Sequence, residues 1–516
     1  MPVLTTYTSL TPAWRGATVS TLLGALAALG FTPFVLWPLT LVAAAALLWL
    51  IDAATTGRRA FGLGWWFGLG HFVLGFNWIA TAFTYQAAMP PALGWLAVVG
   101  VAALMALYPA LSAWGAWRLG RGLAGRSLWF AALWMLTEWL RGHLLSGFAW
   151  NPLGAIWLPL PPLAGAAAWV GAIGLSGLVW VVAGALALLM RGDLLRQPVL
   201  LVAPLLLVVA VTSWALRAPL PTPTTIRLAL VQPNIGQGSR YADPNANLAQ
   251  YAALTRQAFG DGAQVVIWPE GALQFTIGED PAVREFVASL VPAQGLLLFG
   301  SDHIERDADG VAVGARNSLF ALDGQGIIHG RYDKAHLVPL GEYLPFRPLM
   351  TPLGLARLVP GTLDFWEGPG PQTLHLPGLP AMGAQICYEI IFPARVVDAR
   401  DRPAWLLTVS NDAWFGGDGP PQHFAQARLR AIEEGVPVVR ATPTGITGII
   451  DARGGVVATL PRLQTGVLQG VLPSPLPPTL FARFGHGMTL AFGLLLAGLA
   501  LLAERRRRHN KLDIQI

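Results

Sequence analysis

The stretch MGAQICYEIIFP, residues 382–393, contains Cys387, the only cysteine among 516 residues. A short, mostly apolar run that ends on a polar side chain predicts a strand with that side chain at its carboxyl end. In an open α/β sheet, chemistry gathers beyond the carboxyl ends of the strands. Free cysteine is also among the most buried residue types. Two interpretations of Cys387 therefore stand side by side, a nucleophile and a small core residue.

The segment around this stretch, about 218–480, alternates short apolar runs with amphipathic ones. Runs such as IRLALVQ (226–232), AQVVIWPE (263–270) and WLLTVSN (405–411) predict strands, and LFALDGQGIIHG (319–330) predicts a hairpin. NANLAQYAALTRQAF, PAVREFVASLV and HFAQARLRAIEEG predict helices. Proline-rich stretches, APLPTPTT and LPSPLPP, flank the segment. The alternation predicts an α/β domain with a largely buried sheet.

The composition of the remaining chain is that of a membrane protein. The whole chain is 54% hydrophobic and 12% charged, with a mean hydropathy of +0.52, whereas soluble domains carry about 25% charged residues. Only thirteen of the 62 charged residues lie within 1–217. We therefore expect three domains: a transmembrane domain of about seven spans over 1–217, the α/β domain over 218–480, and one further span with a basic tail over 481–516.

Eight apolar runs approach the length of about 20 residues that a membrane span requires. They lie near 17–34, 35–52, 61–83, 91–117, 128–146, 164–190, 198–216 and 486–503.

The distribution of arginine predicts how these spans are oriented. Every second connection is basic, and positive residues favour the cytoplasmic side. Both termini are therefore predicted to lie in the cytoplasm, and the 218–480 domain outside the cytoplasmic membrane. The tail RRRRHNK (505–511) is interpreted as a topology signal, so the net charge of +6 does not indicate nucleic-acid binding. The basic connections contain Arg15, Arg58, Arg59, Arg118, Arg121, Arg126, Arg191 and Arg196.

Three polar residues follow predicted strands in the α/β segment. Glu270 ends VVIWPE, Lys334 lies just beyond the hairpin, and Cys387 ends MGAQIC. Taken singly, the glutamate fits a turn residue, the lysine a solvated loop and the cysteine a core position. Arginine outnumbers lysine 32 to 2, however, so a lysine retained against that bias is a candidate for function.

The three residue types together form a coherent catalytic set. A thiolate is a strong nucleophile when nearby positive charge lowers its pKa. Lys334 could supply that charge and stabilise an oxyanion. Glu270 could accept the thiol proton and later return it. The spacings of 64 and 53 residues mean that only the tertiary fold could bring the three together.

Four motifs in this segment resemble those of the nitrilase, or carbon–nitrogen hydrolase, superfamily, with its Glu-Lys-Cys triad. The motifs are VIWPEGAL, YDKAHLVPLGEYLPF, ICYEIIFP and SNDAWFG, and the resemblance covers about 226–472. It implies an αββα fold for the domain. It also implies that Glu270 is the base, Lys334 the oxyanion and charge partner, and Cys387 the nucleophile.

The membrane segment narrows the resemblance to one branch of that superfamily. FGLGWWFGLGHFVLGFNW (61–78), MLTEWLRGHLLSGFAWNPLG (135–154) and the order of seven spans, α/β domain and one span look like the apolipoprotein N-acyltransferase family. The resemblance implies a bacterial inner-membrane enzyme with its catalytic domain on the periplasmic side. It further implies a monomer that needs no metal, nucleotide or other cofactor.

The implied reaction proceeds through a thioester. The thiolate takes an acyl chain from the sn-1 position of a phospholipid donor, with phosphatidylethanolamine as the expected donor. The α-amine of the diacylglyceryl-cysteine of an apolipoprotein then accepts it as an amide. By the same resemblance Glu342 supports the site, and Tyr388 and Glu389 match the positions after the nucleophile.

Tyr241, Trp414, Arg141 and Glu138 are weaker, substrate-binding candidates. The family often has Trp where Tyr241 stands, which leaves the role of that aromatic wall open. Glu138 and Arg141, spaced i and i+3, have two interpretations: an ion pair that makes two charges tolerable near lipid, or an arginine that faces the lipid phosphate.

Two further departures from the family pattern concern local backbone. Ala149 stands where Pro is usual, and Pro443 stands where Asn is expected.

Two other classes of function remain open at this point. A membrane-tethered amidase or nitrilase acting on small soluble substrates would share the triad, although seven spans exceed what a tether requires. A transporter or channel with an external sensor domain would require charged residues along the spans, and these spans carry very few.

Overall fold

The chain folds into two compact units in the computed structural model, which describes residues 13–85, 90–192, 202–344, 348, 352 and 363–512. One unit consists of Met1–Trp78, Trp95–Ala218 and Thr479–Ile516, and the other of Ile79–Gly94 and Pro219–Pro478. The predicted basic residue Arg196, the first residues of the seventh run (198–201) and the end of the lysine motif (345–346) lie outside the described residues.

The first unit is helical, and each of the eight predicted apolar runs contains a helix. The longer helices are Ala13–Ala28, Trp37–Asp52, Gly57–Gly75, Leu93–Met105, Leu107–Leu119, Gly122–Arg141, Ala167–Met190, Val202–Ala215 and His486–Leu512. Short helices lie at Leu153–Trp157, Pro161–Ala164 and Leu480–Phe484.

Three helices among the described residues are long and apolar enough to cross a membrane. They are Leu93–Leu119, Ala167–Met190 and His486–Arg505, and the apolar helix Trp37–Asp52 is shorter. The first of these three has an irregularity after Met105. Pro109 lies four residues further along, and proline lacks the N–H for an i to i−4 bond and clashes with the carbonyl of residue i−4. The interruption therefore follows from the sequence.

Small residues set the helix spacing within this unit. A Cβ added to Gly24 would lie 1.9 Å from the carbonyl oxygen of Phe67, and one added to Gly70 would lie 2.0 Å from that of Thr21. The helices Ala13–Ala28 and Gly57–Gly75 therefore approach closely at two glycines, as helix pairs in lipid commonly do.

The second unit contains two six-stranded sheets. The first has the order β12-β1-β2-β3-β4-β5 and the second the order β11-β10-β9-β8-β7-β6. The strands are β1 Arg227–Gln232, β2 Val265–Ile267, β3 Leu296–Arg306, β4 Ala312–Asp323, β5 Ile328–Asp333, β6 Thr373–Leu374, β7 Met382–Ile386, β8 Trp405–Val409, β9 Val438–Ala441, β10 Thr447–Ile450, β11 Val456–Leu460 and β12 Gly466–Val471.

The sheets pack against each other, and helices cover them on the outside. β1 contacts β9 and β4 contacts β7, which joins the two sheets face to face. The helices Pro244–Gly260 and Pro281–Ala288 pack on the first sheet around Trp268 and Phe299, and Gly419–Glu434 packs on the second. This confirms the predicted αββα arrangement, including the hairpin at Asp323.

Strand direction determines where the site lies. β1, β2 and β3 run parallel, as do β7, β8 and β9. β5 pairs antiparallel with β4, which pairs antiparallel with β3, so β5 runs in the direction of β3. Chemistry-bearing residues after β2 and β5 therefore emerge at the same edge of the first sheet.

Candidate active site

Each of the three predicted catalytic residues follows a strand. Glu270 comes three residues after β2, Lys334 directly follows β5, and Cys387 directly follows β7. All three side chains are buried, with relative exposures of 9%, 1% and 5%. The fold brings them into one cluster: Lys334 interacts electrostatically with both Glu270 and Cys387.

The ammonium of Lys334 lies between two carboxylates. Its Nζ is 2.9 Å from Oε1 of Glu342 and 3.6 Å from Oε1 of Glu270. Asn317 donates from Nδ2 to both carboxylates, at 2.7 Å to Glu270 and 3.2 Å to Glu342. The backbone N–H of Asn411 donates to the other oxygen of Glu270 at 2.7 Å. Glu270 and Glu342 are thereby held around one cation.

Burial and these charges set the protonation of the lysine and the thiol. Burial alone would lower the pKa of Lys334, but the Glu342 and Glu270 carboxylates outweigh it and hold that pKa above its usual value. Burial, followed by the negative charge of Glu270, raises the pKa of the Cys387 thiol, and Lys334 opposes this only in part. These directions favour an ammonium and a protonated thiol in the resting site, so a nucleophilic role for the sulfur would require a base.

Cys387 has a strained backbone. Its φ is +52°, in the left-handed region that non-glycine residues rarely adopt, and it begins the short 3-10 turn Cys387–Ile391. A strand that enters a helical turn through a strained residue directs that side chain beyond the carboxyl end of the strand. Such strain persists only where the surroundings over-determine it, and it clusters at functional sites.

Glu389 connects the cysteine turn to the lysine loop. Its carboxylate accepts hydrogen bonds from the hydroxyl of Tyr332 at 2.8 Å and from the backbone N–H groups of Ala335, His336 and Ile386 at 2.7, 3.1 and 2.6 Å. Burial raises the pKa of Glu389 to about 7 despite these four donors. Glu389 therefore ties the turn after β7 to the loop after β5.

Two of the remaining predicted residues line the same region. Tyr388 is buried and packs its ring against His336 and Phe392, with centroids 5.7 and 5.1 Å apart. Glu342 additionally accepts from the backbone N–H of Val338 at 2.8 Å, which orders the loop after Lys334.

The aromatic candidates differ in their surroundings. Tyr241 is 51% exposed, with the guanidinium of Arg240 5.5 Å from its ring centroid. Trp414 is half-buried, and its ring meets the edge of Tyr85 at 5.7 Å. Neither contact tests a role in substrate binding, which stays a prediction for both residues.

A cleft opens beside Glu270. Its walls include Arg240, Gln274 and Pro443, the residue that departs from the expected asparagine. Arg240 donates from Nη2 to the carbonyl of Gly271 at 2.7 Å. Proline at this position therefore changes the wall of a cleft that leads to the carboxylate.

Glycine at position 300 permits the backbone around Glu270 to lie against β3. A Cβ added to Gly300 would lie 2.5 Å from the amide nitrogen of Gly271, 2.8 Å from Cα of Glu270 and 2.9 Å from the carbonyl oxygen of Pro269. Real Cβ atoms do not approach backbone this closely, so a side chain here would displace the glutamate.

A buried polar network behind Cys387 did not emerge from the sequence. Asp412 accepts from Nη2 of Arg440 at 2.6 and 2.7 Å and from the hydroxyl of Ser410 at 2.7 Å. His423 places Nε2 3.0 Å from the carbonyl oxygen of Cys387. The motif SNDAWFG contains the serine and aspartate, but nothing in it indicates that an arginine and a histidine from later elements join them. Asn317 was likewise missed, because an asparagine within an apolar strand carries no distinctive spacing.

Glu138 and Arg141 belong to the helical unit and form an ion pair. Arg141 Nη2 is 3.6 Å from Glu138 Oε1. The same carboxylate oxygen accepts from the backbone N–H of Leu153 at 2.9 Å, and Nη1 of Arg141 donates to the carbonyls of Phe148 and Trp150 at 2.7 and 2.8 Å. The pair therefore connects the end of its helix to the following loop. A role of Arg141 in binding a lipid phosphate stays a prediction.

Among the described residues, no group of three or more His, Cys, Asp or Glu side chains is arranged to hold a metal ion.

Comparison with known proteins agrees with this architecture. Residues 23–185 match the family model described as "Apolipoprotein N-acyltransferase N-terminal domain", and residues 227–475 match "Carbon-nitrogen hydrolase". The apolipoprotein N-acyltransferase of Bradyrhizobium diazoefficiens is 38% identical over 96% of this chain and 96% of its own length. The chain belongs to the apolipoprotein N-acyltransferase family.

Other members of the family align over nearly the same length. The apolipoprotein N-acyltransferase of Rhodopseudomonas palustris is 36% identical over 95% of this chain and 96% of its own, and that of Brucella melitensis is 35% identical over 96% and 97%. As a family member the chain is an acyltransferase with a carbon–nitrogen hydrolase domain.

Proposed function

We propose that this acyltransferase N-acylates the amino-terminal diacylglyceryl-cysteine of apolipoproteins, with a phospholipid as acyl donor and Cys387 as the carrier. The lipoprotein substrate follows from family membership. The observation that supports the covalent route is the position of Lys334 between Glu270 and Glu342 beside the buried thiol.

Acyl transfer to the enzyme comes first. Glu270 accepts the thiol proton as Sγ of Cys387 attacks the ester carbonyl, which gives a tetrahedral oxyanion. Lys334 donates one N–H to Glu342 and faces Glu270, which leaves donor capacity for the oxyanion. Collapse breaks the ester C–O bond, and the leaving lysophospholipid oxygen takes the proton back from Glu270. The product is a thioester on Cys387.

The amide forms in the second half-reaction. The neutral α-amine of the acceptor cysteine attacks the thioester carbonyl and gives its proton to Glu270. Collapse breaks the C–S bond, and the sulfur recovers a proton from Glu270, so the enzyme returns to its starting state. Lys334 faces the oxyanion in both halves, because the attacked carbonyl occupies the same place each time.

The same proposal includes placement in a membrane. Eight spans with both termini in the cytoplasm would put the carbon–nitrogen hydrolase domain on the periplasmic side of the inner membrane, where phospholipid and lipoprotein meet. The apolar helices and the basic connections Arg58–Arg59 and Arg118–Arg126 support this orientation. We expect phosphatidylethanolamine as donor and a monomeric enzyme.

The decisive experiment follows the acyl group. Purified protein is incubated with phospholipid labelled in the sn-1 acyl chain, in the absence of acceptor, and examined for a hydroxylamine-sensitive label on the protein. Addition of a diacylglyceryl peptide with a free α-amine is expected to discharge the label as an amide. A membrane-tethered amidase would instead release ammonia from small amides and take up no lipid label, which would overturn the proposal.

A further inference from the structure

The strained turn at Cys387 is held from behind by a cluster that lies outside the Glu-Lys-Cys set. The cluster consists of Asp412, His423 and Arg440, and we call it the rear cluster. All three side chains are 0–1% exposed. Nε2 of His423 lies 3.0 Å from the carbonyl oxygen of Cys387, which joins the cluster to the backbone of the turn.

Neighbouring groups determine which nitrogen of His423 carries the proton. A carbonyl oxygen only accepts, so Nε2 must be the N–H that donates to Cys387. Burial, followed by the charge of Arg440, lowers the pKa of His423, so the ring is neutral. Nδ1 of the neutral ring then carries no proton: it accepts from Nη2 of Arg440 at 3.1 Å and lies 3.3 Å from Oδ1 of Asp412, to which it does not donate. The tautomer is therefore set by the cluster itself.

Asp412 holds Arg440 in the position from which it donates to Nδ1 of His423. Burial disfavours the Asp412 carboxylate, but Arg440 overrides it and the pKa is held well below its usual range, so the carboxylate stays ionised. Both of its oxygens accept from Nη2 of Arg440. Ser410 donates its proton to Asp412 at 2.7 Å, and its hydroxyl also influences the pKa of the Cys387 thiol. The rear cluster thus contacts the nucleophile at its carbonyl and, through Ser410, influences its thiol.

We propose that His423 is a positioning residue of the acyl transfer. Its Nε2–H donates to the Cys387 carbonyl and, oriented by Arg440 and Asp412, holds the left-handed turn that directs Sγ toward Lys334 and Glu270. A φ of +52° is sparsely populated for a cysteine and persists only where neighbouring groups hold it in place. The inference rests on the proposed function, because a turn that carries no nucleophile would not need to be held.

A matched pair of variants distinguishes the hydrogen bond that His423 donates to Cys387 from the packing of its side chain. In His423→Gln the terminal amide nitrogen reaches as far as Nε2 and can still donate to the carbonyl. In His423→Asn the amide reaches only as far as Nδ1, so contact with Asp412 and Arg440 is kept and contact with Cys387 is lost. The rate at which a small maleimide alkylates Cys387 reports whether the turn still presents the sulfur. The acyl-enzyme assay reports how this affects acyl transfer. His375→Gln, on an exposed histidine, is the control.

We expect His423→Asn to slow both alkylation and acylation about 10-fold, which corresponds to one lost hydrogen bond of roughly 1.4 kcal/mol. His423→Gln should stay within about 3-fold of the unmodified protein. Equal rates for Asn and Gln would overturn the proposal. A His423→Gln variant that folds but is unreactive, or that fails to fold, would also overturn the proposal. Glutamine keeps a hydrogen-bond donor to the Cys387 carbonyl, and this donor should suffice. Unmodified protein that alkylates normally but takes up no acyl group would refute the proposed function and leave the role of His423 intact.

Discussion

Nζ of Lys334 lies 2.9 Å from Oε1 of Glu342, closer than it lies to the catalytic candidate Glu270. The lysine is therefore anchored by one carboxylate while it faces the other. An anchored ammonium keeps its charge in a buried site, where an unpaired one would lose its proton. In the proposed mechanism the two glutamates would therefore have separate tasks: Glu342 would hold the cation, and Glu270 would exchange a proton with the thiol.

Replacing Cys387 tests the covalent intermediate. Cys387→Ala is expected to fold and to form no acyl-enzyme, because the acceptor sulfur is gone. Cys387→Ser should be nearly as inactive, since a hydroxyl is far harder to deprotonate than a thiol. Uptake of labelled acyl chain by the purified variants is the measurement. Substantial transfer by the Ala variant would return Cys387 to the role of a core residue.

Glu270→Gln should block acylation, because the carboxylate proposed to accept the thiol proton is then a neutral amide. The amide also turns one oxygen that accepts from Asn317 or Asn411 into a donor. Labelling of Cys387 by a small maleimide between pH 6 and 10, together with acyl-enzyme formation, is the readout. Glu285→Gln, on an exposed helix position, is the matched control. Identical profiles for Glu270→Gln and the unmodified protein would make Glu270 a turn residue.

Lys334→Arg keeps the charge and is expected to lower acyl-enzyme formation by at least roughly 10²-fold. A planar guanidinium does not fit the volume that a compact ammonium occupies between Glu342 and Glu270. Loss of one oxyanion donor alone typically costs about 10²–10³ in rate. The control is Arg256→Lys, an exposed position on the helix Pro244–Gly260. Near-normal acylation by Lys334→Arg would remove the lysine from the site.

Glu389 makes the stability of the protein depend on pH in a definite direction. Its pKa is raised from about 4.5 to about 7 by burial. The protonated form is thus favoured by folding, so the stabilisation is fully present below about pH 4.5 and is lost as the pH rises through 7. The unfolding midpoint of the unmodified protein should fall between pH 5 and 8 more steeply than that of Glu389→Gln.

Glu389→Gln should also form the acyl-enzyme more slowly than the unmodified protein. A glutamine presents an N–H₂ group to at least one of the four donors that surround Glu389, which costs about 1–3 kcal/mol. We expect acylation to fall about 10-fold. Parallel midpoint curves for the two proteins would show that Glu389 is not the titrating group.

Gly300→Ala should displace Glu270 without touching any catalytic side chain. The added methyl group meets backbone atoms of Pro269, Glu270 and Gly271, and overpacking of this kind costs about 1–3 kcal/mol. Unfolding midpoint and acylation are expected to fall together. Gly278→Ala, where a Cβ meets no atom within 4 Å, is the control. Normal acylation by a destabilised Gly300→Ala variant would show that Gly300 does not determine the position of Glu270.

Much of the framework was predictable because it follows from local periodicity. Alternating apolar runs marked β1, β2 and β7, and the ends of β2 and β7 marked Glu270 and Cys387. The bias of 32 arginines to two lysines marked Lys334. β11 and β12 went unpredicted, because both are only partly buried. β12 takes its register from the distant strand β1, whereas β11 pairs with the neighbouring strand β10.

The segment Ile79–Gly94 is another feature that local pattern does not reveal. It connects two apolar runs, yet it groups with the second unit. Tyr85 meets Trp414, and a Cβ at Gly416 would lie 2.4 Å from the hydroxyl of Thr81. Only packing reveals that this connection supports the SNDAWFG loop.

The sequence by itself determined the helical and α/β parts, the strands that precede the candidate site, and Glu270, Lys334 and Cys387 at the ends of those strands. These properties depend on periodicity and residue type over a few positions. The tertiary structure decided which side chains meet: that Glu342 anchors Lys334, that Asn317 bridges two carboxylates, and that His423 reaches the carbonyl of Cys387 across 36 residues. Those contacts arise from sheet pairing and from the need of buried polar groups for partners, and neither leaves a local signal in the chain.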